Sequence, residues 1–178
     1  MGPIDLLRDE IVRSGLLAVP VADDGFVHGT ARMPAIGIDV TVNVDPELDD
    51  RPDPDAAVLL GRIERLLGIT PEQWARTIDS IAEEIEEAVG DQPVHETIDL
   101  RDDLVLASTA VFHDAFLLSF GAPKQFPDSW IRVQLDPDFD VDGVSVDDKD
   151  DDIEVVEFDS ADDLLDHLSA AADDRSPA

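Results

Sequence analysis

The spacing of apolar residues predicts strands in two parts of the chain. Over 38–44, apolar residues occupy every second position and alternate with Asp39, Thr41 and Asn43, as in a strand that buries one face. With the residues before it, this segment predicts a pair of strands over 26–44. The second part has similar runs, separated by Gly, Pro and Asp. It predicts four or five more strands, over 104–112, 116–120, 130–135, 141–146 and 153–158.

Apolar residues that recur every three or four positions predict helices over 3–14, 54–67 and 70–90. Thr70 and Gln73 match a capping box at the start of the third helix, and a last helix is capped by Ser160. We also expect the ring of Trp130 in the core. The same periodicities predict that a set of side chains is buried: Leu59, Ile63, Trp74, Ile78, Ile81, Val133, Leu164 and Leu168.

The order of these elements is α-ββ-αα-β(4–5)-α. Strands grouped together, with helices grouped between them, are typical of an α+β fold. We therefore predict a mostly antiparallel sheet with helices packed on one face. The 178 residues suit one domain, which we place over 1–172, followed by a frayed tail over 173–178. Two subdomains that meet near 91–102 are the alternative.

The net charge of the chain limits the kinds of molecule that it can bind. It has 43 Asp and Glu residues against 12 Lys and Arg, a net charge of −31. A field of this sign repels nucleic acid and anionic membranes and attracts basic molecules. The charge therefore predicts no nucleic acid and no membrane among the partners, and it favours a basic protein. A generally acidic surface, from a salt-adapted cytoplasm or a high-GC genome, is the alternative.

The chain lacks the residues that several classes of activity need. The chain has no cysteine, which excludes disulfides, thiolate metal sites and a cysteine nucleophile. His113-Asp114 matches the HD phosphohydrolases only as a dipeptide, and no serine lies in a G-x-S-x-G motif. We expect a protein without enzymatic activity and without a cofactor.

The N-terminal residues indicate where the protein acts. A secretion signal is basic and then apolar, and Asp5, Asp9 and Glu10 interrupt any such pattern. No apolar run approaches the roughly 20 residues that span a bilayer. A cytoplasmic location is the simplest expectation, and the oligomeric state is left open.

One short motif suggests a metal site. Asp138, Asp140, Asp142 and Gly143 match the D-x-D-x-D-G opening of a calcium-binding loop, in which alternate carboxylates face the ion. The twelfth position of such a loop supplies a bidentate Glu, but here it is Lys149. A strand that ends in an Asp-Gly turn explains the pattern equally well. Irregular calcium binding through 138–148 is therefore an alternative function.

A second acidic cluster lies in the predicted helix 70–90. We call Glu83, Glu84, Glu86 and Glu87 the glutamate cluster. Like charges three or four residues apart repel on a helix, and carboxylates toward its C-terminal end oppose the helix dipole. Helix stability does not explain the cluster, so it is the candidate partner-binding surface. A solvated face of general acidity is the alternative.

The C-terminal part of the chain resembles small acidic bacterial domains. Within 104–170, the segments WIRVQL, DFDV and EVVEFDSADDLLDHL suggest strands followed by an F-x-S-x-x-(E/D)-L-L helix. Some α+β immunity proteins of toxin systems are similar to this pattern. The resemblance implies an inhibitor-like binding function and carries over no functional residues. We therefore predict a non-enzymatic acidic binding protein that engages a basic protein.

Overall fold

A computed structural model describes residues 1–90 and 98–149. The helices are α1 (Pro3–Ser14), α2 (Ala56–Leu67), α3 (Pro71–Val89) and α4 (Leu100–Asp103). The strands are β1 (Ala18–Asp23), β2 (Phe26–Met33), β3 (Ile38–Val44), β4 (Val105–Val111), β5 (Phe116–Ala122), β6 (Phe126–Leu135) and β7 (Val141–Asp148). The predicted strand over 153–158, the helix capped by Ser160 and the tail over 173–178 lie outside the described residues.

All seven of these strands form one sheet, in the chain order β1 to β7. Neighbouring strands are antiparallel except for β3 and β4, which are parallel. A parallel pair needs a long crossover connection, and α2, α3 and α4 lie within it. The predicted class is confirmed, because the fold is α+β with a mostly antiparallel sheet.

The predicted order of elements needs two corrections. Three strands, not two, lie between α1 and α2, because Ala18–Asp23 pairs with β2 as an edge strand. Pro20 and the left-handed backbone of Val19, with φ 49°, break its alternation, and a proline is tolerated in an edge strand. The second correction is the short helix α4 before β4, which Asp99 caps by accepting a hydrogen bond from the Arg101 N–H at 3.0 Å.

Local signals at the helix starts agree with the structure. The Thr70 hydroxyl accepts from the Gln73 N–H at 3.2 Å, and the Gln73 side chain accepts from the Thr70 N–H at 3.0 Å. This is the capping box that the sequence predicts at α3. The helix predicted over 54–67 begins at Ala56, where the Asp55 carboxylate caps it.

One apolar cluster joins alternate residues of the strands to the buried sides of α1, α2 and α3. Leu59, Ile63, Ile81 and Val133 are fully buried in it, as predicted. Leu164 and Leu168 lie outside the described residues.

Three other large side chains that were predicted in the core are only half-buried. Trp74 and Ile78 pack against the cluster but remain half-buried. Ile131 and Val133 occupy the buried face of β6, so Trp130 lies on the opposite face of the sheet and not in the core. Its ring is half-buried there, 4.9 Å from the Lys149 ammonium.

Candidate functional site

A concave acidic surface lies at one end of the sheet, where β2 begins and β3 ends. Its volume is about 470 Å³. We call it the acidic depression. Five of its eight lining residues carry carboxylates, and the lining is Asp24, Gly25, Phe26, Asp45, Glu47, Leu48, Asp49 and Asp50. Carboxylates beside an aromatic ring and a leucine suit a ligand with a cationic head and an apolar stem.

The loop after β3 has a fixed backbone conformation. Glu47 has a φ of 55°, in the left-handed region of backbone conformation that residues other than glycine rarely adopt. The Asp45 carboxylate accepts from the Glu47 N–H at 2.8 Å. The Glu47 carbonyl accepts from the N–H groups of Asp50 and Arg51, at 3.0 and 2.7 Å. The loop therefore presents its acidic side chains from a hydrogen-bonded turn.

A buried histidine ties this loop to the rest of the protein. The side chain of His113 is 2% exposed, and its Nδ1 lies 3.1 Å from the Glu47 carboxylate. Its Nε2 accepts a hydrogen bond from the Asp55 N–H at 3.2 Å, so the ring carries its proton on Nδ1. The Arg62 guanidinium donates to the His113 carbonyl at 2.8 Å. The ring of His113 therefore links the loop after β3 to the residue that caps α2.

A second, smaller depression shares Glu47 with the first. Its volume is about 270 Å³, and its lining is more apolar: Glu47, Phe112, Asp114, Ala115, Phe116, Leu117 and Gln134. Arg51 pairs with Asp114 at its rim and lies 3.9 Å from the Glu47 carboxylate. Within the described residues, Asp24, Asp45, Asp49 and Asp50 form no ion pair, so they carry the uncompensated charge of the site, and three of them, Asp24, Asp49 and Asp50, are exposed.

All four members of the glutamate cluster are exposed on α3. Arg101 of α4 compensates one of them, because its guanidinium donates to Glu86 at 3.2 Å and to Asp79 at 2.8 Å. Hydrogen bonds from the backbone N–H and then the side chain of Arg101 lower the pKa of the Asp99 carboxyl. Glu86 also lines a small depression, whose other lining residues include Ile85, Val89 and Leu100.

Arg101→Gln is expected to lower the midpoint of thermal unfolding, because it leaves Asp79, Glu86 and Asp99 close together without a cation. The loss should shrink in concentrated salt, which screens exposed charges. The lowered pKa of Asp99 means that its contribution is present above its unfolded pKa and is lost as the pH falls through its folded pKa. Thermal melts of both proteins at several pH values test this, and an effect that grows in acid would contradict it.

Two of the three predicted calcium ligands, Asp138 and Asp140, line one depression beside α3, and Asp142 is not part of its lining. Asp138 lies 3.2 Å from the Arg65 guanidinium and Asp142 is exposed. The carboxylate of Asp136 organises this loop by accepting from the N–H groups of Asp138 and Asp140, at 2.8 and 3.0 Å. In the part of the chain that the structure describes, no group of three or more His, Asp or Glu side chains is arranged to hold a metal ion.

The sequence patterns did not predict the acidic depression. Asp24 lies in a different turn from the other carboxylates of its lining, some twenty residues earlier in the sequence. The pairing of Val27 with Val44 brings the two turns together. The predicted strand pair over 26–44 was enough to indicate that these two turns are neighbours. A hairpin places the residues before its first strand beside the residues after its second strand.

Comparison with other proteins does not assign a family. No helix of the described residues is long and apolar enough to cross a membrane. No protein-family model, curated protein or solved structure matches the chain.

Proposed function

We propose that the protein is a non-enzymatic acidic binding protein that engages a basic protein through the acidic depression. The observation that carries the proposal is the placement of Asp24, Asp49 and Asp50. These three exposed carboxylates come from two loops, surround one concave surface and have no ion-pair partner among the described residues. A lysine or arginine side chain of the partner would supply the missing cation.

The apolar part of the lining supports a side chain as the ligand rather than a bare ion. Phe26 is half-buried, and its ring lies 5.8 Å from that of His28. An aromatic face attracts a guanidinium or ammonium group, and Leu48 offers a surface for the methylene stem. The buried His113 holds the loop from behind, so the partner meets a surface that is already formed.

The rest of the fold gives this site a stable base. We infer that the described helices cover one face of the sheet, since α1 contacts β1 and β2, α2 contacts β2 and β4, and α3 contacts β7. The acidic depression is then at the end of the strands, clear of the helix layer. A cytoplasmic, inhibitor-like role of the immunity-protein type agrees with such a site, because long-range attraction speeds the encounter with a basic partner.

A pair of charge-matched variants tests the site. One variant, Asp24→Asn with Asp49→Asn and Asp50→Asn, removes three charges from the acidic depression. The control, Glu83→Gln with Glu84→Gln and Glu87→Gln, removes three from the glutamate cluster and spares Glu86, which pairs with Arg101. Both variants make the net charge less negative by the same three units, so only the local contact differs. Binding of a fluorescent nonaarginine peptide is measured by anisotropy at low salt.

The variant of the acidic depression is expected to raise the Kd by at least roughly tenfold, equivalent to about 1.4 kcal/mol. The control variant should raise it less than about threefold, because it changes only the distant field. Equal losses would indicate general acidity without a site. A larger loss in the control variant would assign binding to the glutamate cluster instead.

A further inference from the structure

The strand register aligns side chains in rows across the face of the sheet that points away from the core. One row runs from β2 to β7 and consists of Thr30, Thr41, Ser108, Ser119, Arg132 and Ser145. The adjacent row consists of His28, Asn43, Ala110, Leu117, Gln134 and Gly143. Both rows alternate with buried residues such as Val42, Leu118 and Val133. We call the surface formed by these two rows the open face.

The open face has no carboxylate in either row. Two of the carboxylates beside it are paired, because Asp39 lies 3.4 Å from the Arg32 guanidinium and Asp147 lies 3.8 Å from that of Arg132. Elsewhere the described surface is acidic, on α3 and around the acidic depression above all. A nearly neutral sheet face in a chain of net charge −31 is therefore a local property that the overall composition does not predict.

We propose that the open face is the surface through which two copies of this chain associate. Two copies repel each other at every acidic surface, because each brings the same charge. At the open face no carboxylate of one copy has to approach a carboxylate of the other. No residue of the two rows belongs to the glutamate cluster or lines the acidic depression, although His28 lies beside Phe26, which does line it.

The size and the relief of the open face suit a weak, reversible contact. Six strands about 4.8 Å apart and two side-chain rows about 6.7 Å apart give a plane of roughly 30 by 13 Å. The resulting area of roughly 400 Å² is about half of the roughly 800 Å² per partner of a standard interface, and weak, transient contacts lie at this lower end. Most of the side chains in the two rows are short, so a second sheet can approach to the usual distance of about 10 Å.

The oligomeric state of the full chain, measured by sedimentation velocity in potassium chloride from about 0.1 to about 2 M, tests the proposal. Thr41→Glu places a carboxylate on the open face, where Thr41 is exposed. Ser80→Glu adds the same charge to an exposed position of α3 and serves as the matched control. Thr30→Glu, at the cross-strand neighbour of Thr41, is the second variant if Thr41→Glu does not fold.

The unmodified protein is expected to dimerise, and more strongly as salt screens the repulsion. Thr41→Glu should weaken the dimer by at least roughly tenfold, and Ser80→Glu should leave it within about threefold. A chain that stays monomeric at all salt concentrations overturns the proposal, as does a dimer that both variants weaken equally. Binding of the basic peptide weakens with salt, so the two proposals fail under different conditions.

Discussion

Replacing His113 with alanine is expected to lower the free energy of unfolding by about 3 kcal/mol. The ring is 2% exposed, so its removal leaves a cavity that the neighbouring side chains fill only in part. It also leaves the Asp55 N–H without an acceptor, and the Glu47 carboxylate without one of its donors, and a buried polar group without a partner is costly. Urea denaturation near neutral pH measures the loss.

Two further variants separate the two hydrogen bonds of the ring. The amide nitrogen of His113→Asn takes the place of Nδ1 and can still donate to Glu47. The amide oxygen of His113→Gln takes the place of Nε2 and can still accept from the Asp55 N–H. Each is expected to lose about 1–2 kcal/mol, less than the alanine variant, because each keeps one bond and part of the volume. A loss below about 1 kcal/mol in His113→Ala would show that the ring does not hold the loop.

The loss in His113→Ala should extend to binding. Glu47 lines the acidic depression and contacts His113 through both the ring and the backbone N–H. Without the ring, the turn that presents Asp49 and Asp50 loses its anchor in the connection between β4 and β5. Nonaarginine binding should therefore weaken although no charge has been removed. The affinity of His113→Ala for nonaarginine therefore shows whether binding depends on the conformation of the loop or only on its negative charge.

The interactions of His113 could not be predicted from sequence because its partners are distant along the chain. Glu47, Asp55 and Arg62 lie 66, 58 and 51 residues away. The predicted helices and most of the predicted core, in contrast, depend on spacings of three or four residues. Periodicity records which side of an element is buried. It does not record which elements become neighbours, and the parallel pairing of β3 with β4 sets that arrangement here.

The prediction for Trp130 was wrong for a related reason. A period of two separates the residues of β6 into two sets but does not say which set faces the helices. Ile131, Val133 and Leu135 form the buried set, and the alternate set contains Trp130 and Arg132. The large aromatic ring suggested burial, but the three aliphatic residues fill the core on that side. The ring lies instead near the Lys149 ammonium.

The D-x-D-x-D-G motif contains a structural residue, Phe139, which lies between its first two aspartates. Phe139 is 6% exposed, and its ring stacks on that of Phe116 with the centroids 5.0 Å apart. The Arg65 guanidinium lies 5.6 Å from the centre of the ring. The aspartates beside Phe139 stay in solvent while the ring fills the core. A charged loop therefore contains one of the anchors of the β6–β7 connection.

Phe139→Ala is expected to lower the free energy of unfolding by about 3–4 kcal/mol, the usual cost of deleting a buried aromatic ring. Asp140→Asn, the adjacent control, should leave the urea midpoint nearly unchanged. Phe139→Gly should lose less than the alanine variant, by about 0.5–1 kcal/mol. The reason is the φ of 70° at this position, since a left-handed backbone costs a residue with a Cβ about 1–2 kcal/mol and costs glycine almost nothing. The greater freedom of glycine in the unfolded chain offsets part of that gain. If Phe139→Gly loses more free energy of unfolding than Phe139→Ala, the folded protein does not hold this residue in the left-handed conformation.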